Sequence, residues 1–439
     1  MRSKHLSVIH RCRRSLCSVS ANDSQSLKLS HLEKVNVEKK ERKYERSAAL
    51  YVHWPYCKRR CTYCNFNKYI DRNVNEERMR DNLVRETETL IRLSGVSSIA
   101  SIFFGGGTPS LASADTIASI ISQVKAQVTL PDSGEITLEA NPTSLETNRL
   151  REFCDAGVNR LSIGVQSLRQ DNLSVLGRDH TVEEAERCIW EGKALFPGRV
   201  SVDLMFGLPG QTVRAWLAEL RQMIDICDKH LSLYQLTLER GTQLFKDVGK
   251  HTVRMPSPDD VATMYKAAVQ ILSDHEYKRY EVSNFAKQEA YSTHNLTYWR
   301  GMPYIGVGPG AHGRFYVAGT RQARIQTLEP DIWMREVEAF GHATRKIVPQ
   351  TLLNHLEEMV AVGLRTRWGI SHNRWEEVSP LGLQDIFHHS DTIQSYRDQG
   401  LLHLDTRGLR ASDTGLDVLD TLIPSLLLQL DLAFKPSVT

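Results

Sequence analysis

Long apolar runs are missing from this chain, and that absence sets the first limit on it. The richest stretch, LDVLDTLIPSLLLQLDLAF near the C-terminus, is interrupted by Asp417, Asp420, Pro424 and Asp431. It reads as a packed helix and not as a bilayer span. Cysteine is scarce as well. Eight in 439 residues are too few for a disulfide framework, and Cys154, Cys188 and Cys227 fall singly on helix-like stretches, where a lone cysteine is a small buried hydrophobe. Neither sign of charge dominates, since 55 basic and 52 acidic residues leave a formal +3. Acids are nearly absent from one place only, the first thirty residues. There Asp23 alone opposes Arg2, Lys4, Arg11, Arg13, Arg14 and Lys28, among frequent serines. An acid-poor, Arg- and Ser-rich start without an apolar h-region predicts a mitochondrial transit peptide over 1–30. Its removal takes the formal net charge from +3 to about −2, which argues against a general nucleic-acid binder.

What the chain does have is three cysteines on one short loop: Cys57, Cys61 and Cys64 in YVHWPYCKRRCTYCNF, spaced C-x3-C-x2-C. Clustered thiolates bind soft metals, and four-cysteine loops saturate zinc or an iron–sulfur cluster. Here the local count stops at three, so a [4Fe–4S] cube would keep one iron open to a ligand that is not protein. The competing metal is zinc, with His53 or a distant residue as fourth ligand, although zinc loops favour paired C-x2-C halves.

After a charged spacer over 31–47, apolar runs alternate with amphipathic stretches. ALYVHW, SIASIFF, EITLEA, RLSIGV, VSVDLMF and LSLYQL read as strands. Asn75 to Leu93, Ala114 to Val128, Val182 to Phe196 and Thr212 to Cys227 read as helices. Strands that are apolar throughout belong in a parallel sheet covered on both faces, and repeated β–α units build such a sheet, open or curled into a barrel. Polar and glycine residues recur at the strand ends: Gly105-Gly106-Gly107-Thr108 after the second, Glu139 and Asn141 after the third, Gln166 after the fourth and Asp203 at the fifth. In a barrel that end holds the chemistry. Beyond 285 a poorly patterned link over 286–350, containing HNLTYW, precedes a C-terminal domain over 351–439. This domain opens with a helix over 352–367 and carries a small strand pair, GLLHLD and RGLRAS, a winged-helix-like arrangement.

CKRRCTYC, GGGTP, LEANP, RLSIGVQS, LGRDH, VDLMFGLPGQT and HNLTYW, in that order, resemble the radical SAM superfamily. Within it the chain is similar to the oxygen-independent coproporphyrinogen dehydrogenase-like group, in its HemW-like haem-chaperone branch, from about Ala48 to the C-terminus. The resemblance implies an α/β fold, a partial (β/α)6 barrel over 48–285 with a smaller mixed α/β C-terminal domain. It implies a [4Fe–4S] cluster on Cys57, Cys61 and Cys64, and S-adenosylmethionine (SAM) against Tyr51, Gly106, Gly107, Thr108, Glu139, Gln166, Arg178 and Asp203. SAM on the open iron is a source of a deoxyadenosyl radical. Phe66 stands where the dehydrogenases carry a further cysteine, which disfavours coproporphyrinogen chemistry and leaves open whether the protein is an enzyme. The implied task is to bind haem and pass it to haem-requiring respiratory proteins, with His294 as a haem ligand, Tyr298 and Trp299 packing on the porphyrin, and His312 as a second candidate. An electron donor is implied if SAM is cleaved, and a cluster-dependent homodimer is conceivable for a carrier. The alternative is a radical SAM oxidoreductase acting on a porphyrinogen.

Overall fold

The computed structural model describes residues 46–71 and 73–434; the expected transit peptide and nearly all of the charged spacer lie outside them. Six strands run parallel and adjacent in chain order: β1 (Ser47–Trp54), β2 (Ser98–Gly106), β3 (Glu135–Ala140), β4 (Arg160–Gln166), β5 (Val200–Phe206) and β6 (His230–Gln235). Four long helices cross between them, α1 (Glu76–Ser94), α2 (Ala114–Gln127), α3 (Val182–Leu195) and α4 (Val213–Ile226). Their starts are written in the sequence. Asn75, Ser113, Thr181 and Thr212 each accept a first-turn backbone N–H, and Thr181 with Glu184 completes a reciprocal capping box. Outward-facing Leu50, Val52, Ile102, Leu138, Ile163, Val202 and Leu231 pack against Met79, Ile120, Ile189 and Leu220 of the helices in one core. The helices turn their apolar faces inward because burying each such side chain is worth about 2 kcal/mol.

The parallel strands do not close on themselves. On the β6 edge, the hairpin β7 (Lys278–Glu281) and β8 (Asn284–Ala286) is added antiparallel, following helix α5 (Pro258–Asp274). On the β1 edge the expectation of a patternless link is corrected. After a short helix α6 (Thr293–Trp299), this segment forms β9 (Tyr304–Val307), parallel to β1. It continues antiparallel as β10 (His312–Val317), β11 (Thr320–Gln326) and β12 (Thr344–Pro349), with α7 (Pro330–Phe340) before the last. Short strands rich in arginine hid it. Arg314, Arg321 and Arg324 are buried, and their cations are met by partners rather than by water. A buried carboxylate locks this extension to the barrel. Glu86 of α1 accepts the N–H groups of Gly308 (2.8 Å) and Ala343 (2.8 Å) and the Trp333 indole (3.0 Å).

A second core, including Leu356, Trp375, Phe387, Leu402, Leu409 and Leu426, holds the C-terminal domain. Helix α8 (Leu352–Gly363) leads into it, the hairpin β13 (Leu402–Asp405) and β14 (Gly408–Ala411) follows, and α9 (Leu419–Phe434) closes it. The first helix ends one turn earlier than its sequence pattern predicts. Thr366 leaves the helical path to bridge Glu281 at the end of β7, and Arg365 pairs with that carboxylate at 2.7 Å. Among the described residues no helix is long and apolar enough to cross a membrane.

Candidate functional site at the mouth of the barrel

The loop that carries the three cysteines is held from several sides by backbone. Cys57 donates its N–H to Tyr69 O (2.9 Å), and Thr62 donates N–H to Leu176 O (3.0 Å) and its hydroxyl to Val175 O (2.8 Å). Leu244 N–H closes on Thr62 O at 2.9 Å, and Lys68 Nζ donates to Cys64 O at 2.6 Å. Cys57 is buried, and burial pushes its thiol up to about 11, opposed by the Thr108 hydroxyl that donates to Sγ at 3.4 Å. Arg178 donates to Cys61 Sγ at 3.5 Å.

The glycine strip lies directly beneath this loop because nothing larger fits. A Cβ on Gly106 would stand 2.6 Å from the His53 ring, and one on Gly107 2.7 Å from Tyr56 O; Gly106 also has φ +118°. The same closeness lets Gly107 N–H reach Trp54 O (2.7 Å) and Thr108 N–H reach Tyr56 O (2.9 Å). Glu139 accepts Gly106 N–H at 3.1 Å. Arg178 forks onto Asn141 Oδ1 (2.7 Å) and Gly164 O (2.8 Å), tying the ends of β3 and β4 to the cysteine loop. Burial opposes its charge, but Tyr63 and Cys61 hold the guanidinium cationic. Gln166 adopts φ +69° at a register shift between β4 and β5. A non-glycine residue in that region marks local strain, a feature that clusters at working sites.

Asp203 differs from its expected place. β5 runs on to Phe206, so Asp203 is mid-strand opposite Ser232, deeper in the lumen than the other strand-end groups. Ser162 donates to its Oδ2 at 3.4 Å, whereas Oδ1 is buried without a hydrogen-bond partner. Burial and then the nearby Glu139 push this carboxyl up to about 7. Arg178 Nε and the Thr137 hydroxyl are likewise buried and unpartnered. Buried polar atoms of this kind call for a ligand or water, and a cation, a carboxylate and a hydroxyl fit a ligand with a carboxylate, an amine and ribose hydroxyls.

His53, expected only as a possible zinc ligand, and Asn67, which the sequence did not place in the site, organise it. His53 has both ring nitrogens engaged, Nδ1 with the Tyr51 hydroxyl (3.1 Å) and Nε2 with Asn67 O (2.9 Å), which disfavours it as a zinc ligand. Asn67 donates Nδ2 to Pro309 O (3.0 Å) and Leu328 O (2.9 Å), fastening the end of the cysteine loop to the sheet extension. The only signal for it was an asparagine two residues after Asn65 in CNFN. Among the described residues, no three His, Cys, Asp or Glu side chains converge closely enough to hold a single metal ion. A cube, by contrast, sets its thiolates on separate irons.

His294 is not at this mouth. It sits on α6 at the floor of the lumen, buried, with Nδ1 3.0 Å from Ser101 Oγ and Nε2 against the Tyr298 hydroxyl. Its backbone N–H, with that of Thr293, caps onto Glu135 (both 2.9 Å). The expectation of an available imidazole is therefore corrected: both nitrogens are occupied and the ring stacks on Phe103 with centroids 4.8 Å apart.

Family models match this architecture in two pieces, the radical SAM superfamily over residues 51–223 and the HemN C-terminal domain over 350–418. The chain is 56% identical to the mitochondrial radical S-adenosyl methionine domain-containing protein 1 of Mus musculus, covering 88% of this chain and 89% of that protein. The chain belongs to the radical SAM superfamily. Within it, this is a HemW-like protein: it is 32% identical to the heme chaperone HemW of Bacillus subtilis over 80% of this chain and 92% of that one. The solved structure of Escherichia coli coproporphyrinogen III oxidase (HemN), a radical SAM enzyme, superposes with a TM-score of 0.73 at 20% identity, covering 90% of this chain and 92% of that one. That likeness shows the shared fold. Membership of the superfamily implies a [4Fe–4S] cluster and SAM, and relatives above half identity place the protein in the mitochondrion.

Proposed function

We propose that this protein is a mitochondrial haem chaperone, one that binds haem and hands it to haem-requiring respiratory proteins, and that residues 1–30 are its transit peptide. The observation that carries the reading is the match to the heme chaperone HemW over 80% of this chain and 92% of that protein. Phe66, at 45% exposure beside the cysteine loop, supports it, because no fourth thiol follows the third.

In this reading Cys57, Cys61 and Cys64 hold a [4Fe–4S] cluster, and SAM lies over Gly106, Gly107 and Thr108. When bound, the pair supplies radical chemistry. The residues' own work is positioning. Arg178 keeps a cation beside Cys61 and offers its free Nε to a carboxylate. Glu139 presents an acceptor at the glycine strip, and Tyr51 and Gln166 line the mouth. Asp203 offers Oδ1 to a ribose hydroxyl. Thr108 donates toward Cys57, which favours its thiolate.

The test is anaerobic reconstitution followed by haem titration and assay for deoxyadenosine. Stoichiometric haem binding and delivery to a haem-free respiratory protein are expected. Turnover of coproporphyrinogen would overturn the chaperone reading in favour of a porphyrinogen oxidoreductase. Zinc without acid-labile sulfide would remove the cluster.

A further inference from the structure

The occupied nitrogens of His294 raise the question of where a porphyrin would rest. The floor of the barrel answers it with aromatic and cationic groups drawn from two parts of the chain. Trp368, in the turn after α8, is 43% exposed although it is a tryptophan. Its ring meets Tyr291 edge-on at 5.4 Å, and Tyr291 in turn packs on Tyr280 at 4.9 Å. The Arg365 guanidinium lies 5.0 Å over the ring of Trp299, the last residue of α6. The turn is fixed in place, since Arg367 donates its N–H to Tyr280 O at 3.2 Å and Thr366 bridges Glu281. Arg365 spends its charge on buried Glu281. The exposed Arg367 side chain has no carboxylate partner among the described residues.

Haem b is a flat apolar macrocycle with two propionate carboxylates on one edge. It asks for exposed aromatic faces next to an uncompensated cation, and here the exposed Trp368 indole meets Tyr291 while the exposed Arg367 immediately precedes Trp368 in the same turn. We infer that Tyr291, Trp299, Trp368 and Arg367 seat the porphyrin, Trp368 against its face and Arg367 on a propionate, at the junction of the barrel floor with the C-terminal domain. This rests on the chaperone reading and adds the place and manner of binding. The seat grips ring and carboxylate, so it does not require His294 as an iron ligand.

Full-length protein, anaerobically reconstituted and matched for iron and sulfide, would be titrated with haem, with haem dimethyl ester and with metal-free protoporphyrin, following the Soret band. Trp368→Ala weakens haem about tenfold, as expected for loss of one stacked indole, and Trp368→Phe restores most of it. Arg367→Ala weakens haem about fivefold yet leaves the dimethyl ester unchanged. Metal-free protoporphyrin competes with haem. Unchanged haem affinity in Trp368→Ala, or failure of protoporphyrin to compete, overturns the seat while haem binding itself stands. Failure of the wild type to bind haem at all overturns the chaperone reading and the seat with it.

Discussion

Replacing Asp203 by asparagine is expected to stabilise the protein and to weaken its grip on SAM, two effects of opposite sign from one side chain. The buried carboxylate has one satisfied oxygen, one without a partner, and a like charge on Glu139 near it. A carboxyl moved from 3.8 to about 7 corresponds to a ceiling of about 4 kcal/mol. Relaxation and water in the lumen reduce the expected gain to about 2 kcal/mol. The sign follows from linkage. The folded-state pKa is raised, so the protein is favoured below the unfolded value near 3.8 and loses that advantage as pH rises through about 7. The variant has no such loss. The gap between Asp203→Asn and wild type, measured by thermal unfolding of SAM-free protein, therefore widens from pH 5 to pH 8. SAM binding by calorimetry should weaken 10- to 100-fold, on the order of a lost hydrogen bond to a charged group. A variant less stable than wild type at pH 8, or a gap that does not change with pH, would show that Oδ1 is not an unpaid buried charge.

Gly106→Ala places a methyl 2.6 Å from the His53 ring at φ +118°, so loss of iron content on reconstitution is expected; normal cluster loading would mean the strip is looser than described. Asn67→Ala leaves Pro309 O and Leu328 O without their donor, at about 1–3 kcal/mol, and should speed loss of cluster absorbance in air. Burial raises the Glu358 carboxyl, but Arg321 (2.8 Å) and Arg314 (3.2 Å) override this and hold it far below the usual range. That stability is present above the ordinary carboxylate pKa and is lost as pH falls. Glu358→Gln should lower the unfolding temperature at pH 7 and lower it by a smaller amount at pH 3, because the folded-state carboxyl is still ionised there while the unfolded one is largely protonated.

Much of this was legible because local and global signals agreed. Continuous apolar runs such as VSVDLMF specify strands buried on both faces, and Thr181 with Glu184 marks a helix start whatever the surroundings. The sheet extension was not legible. Its strands carry Arg314, Arg321 and Arg324, which look like surface until Glu358, Gln322 and Thr344 are brought to them from elsewhere in the chain. The site divided in the same way. Cysteine spacing and strand-end glycines are local patterns, whereas the depth of Asp203, the strain at Gln166 and the occupied nitrogens of His294 depend on register and on contacts nearly two hundred residues apart. Trp368 gave no signal, because only its exposure beside Tyr291 distinguishes it from a core tryptophan such as Trp375.

A column of aromatic rings runs between mouth and floor, and that bears on how one chain can hold both a radical-generating cofactor and haem. From His53 beside the glycine strip, rings pack in a continuous column through Tyr51, Phe103, His294 and Tyr298 to Tyr304, with neighbouring centroids 4.7 to 6.2 Å apart. Ser101, which bonds His294, lies five residues before Gly106 on β2, about 17 Å along an extended strand. A porphyrin seated on Trp368, at the floor, would be separated from the cysteine loop by this column of rings. Chemistry at the mouth would then leave the cargo untouched, and the two ligands should bind without competing. Saturating SAM is expected to change the haem dissociation constant less than twofold, within the scatter of such titrations. Mutual exclusion would require haem to enter the mouth over Gly106 and Gly107, where a tetrapyrrole would stand as a substrate rather than as cargo.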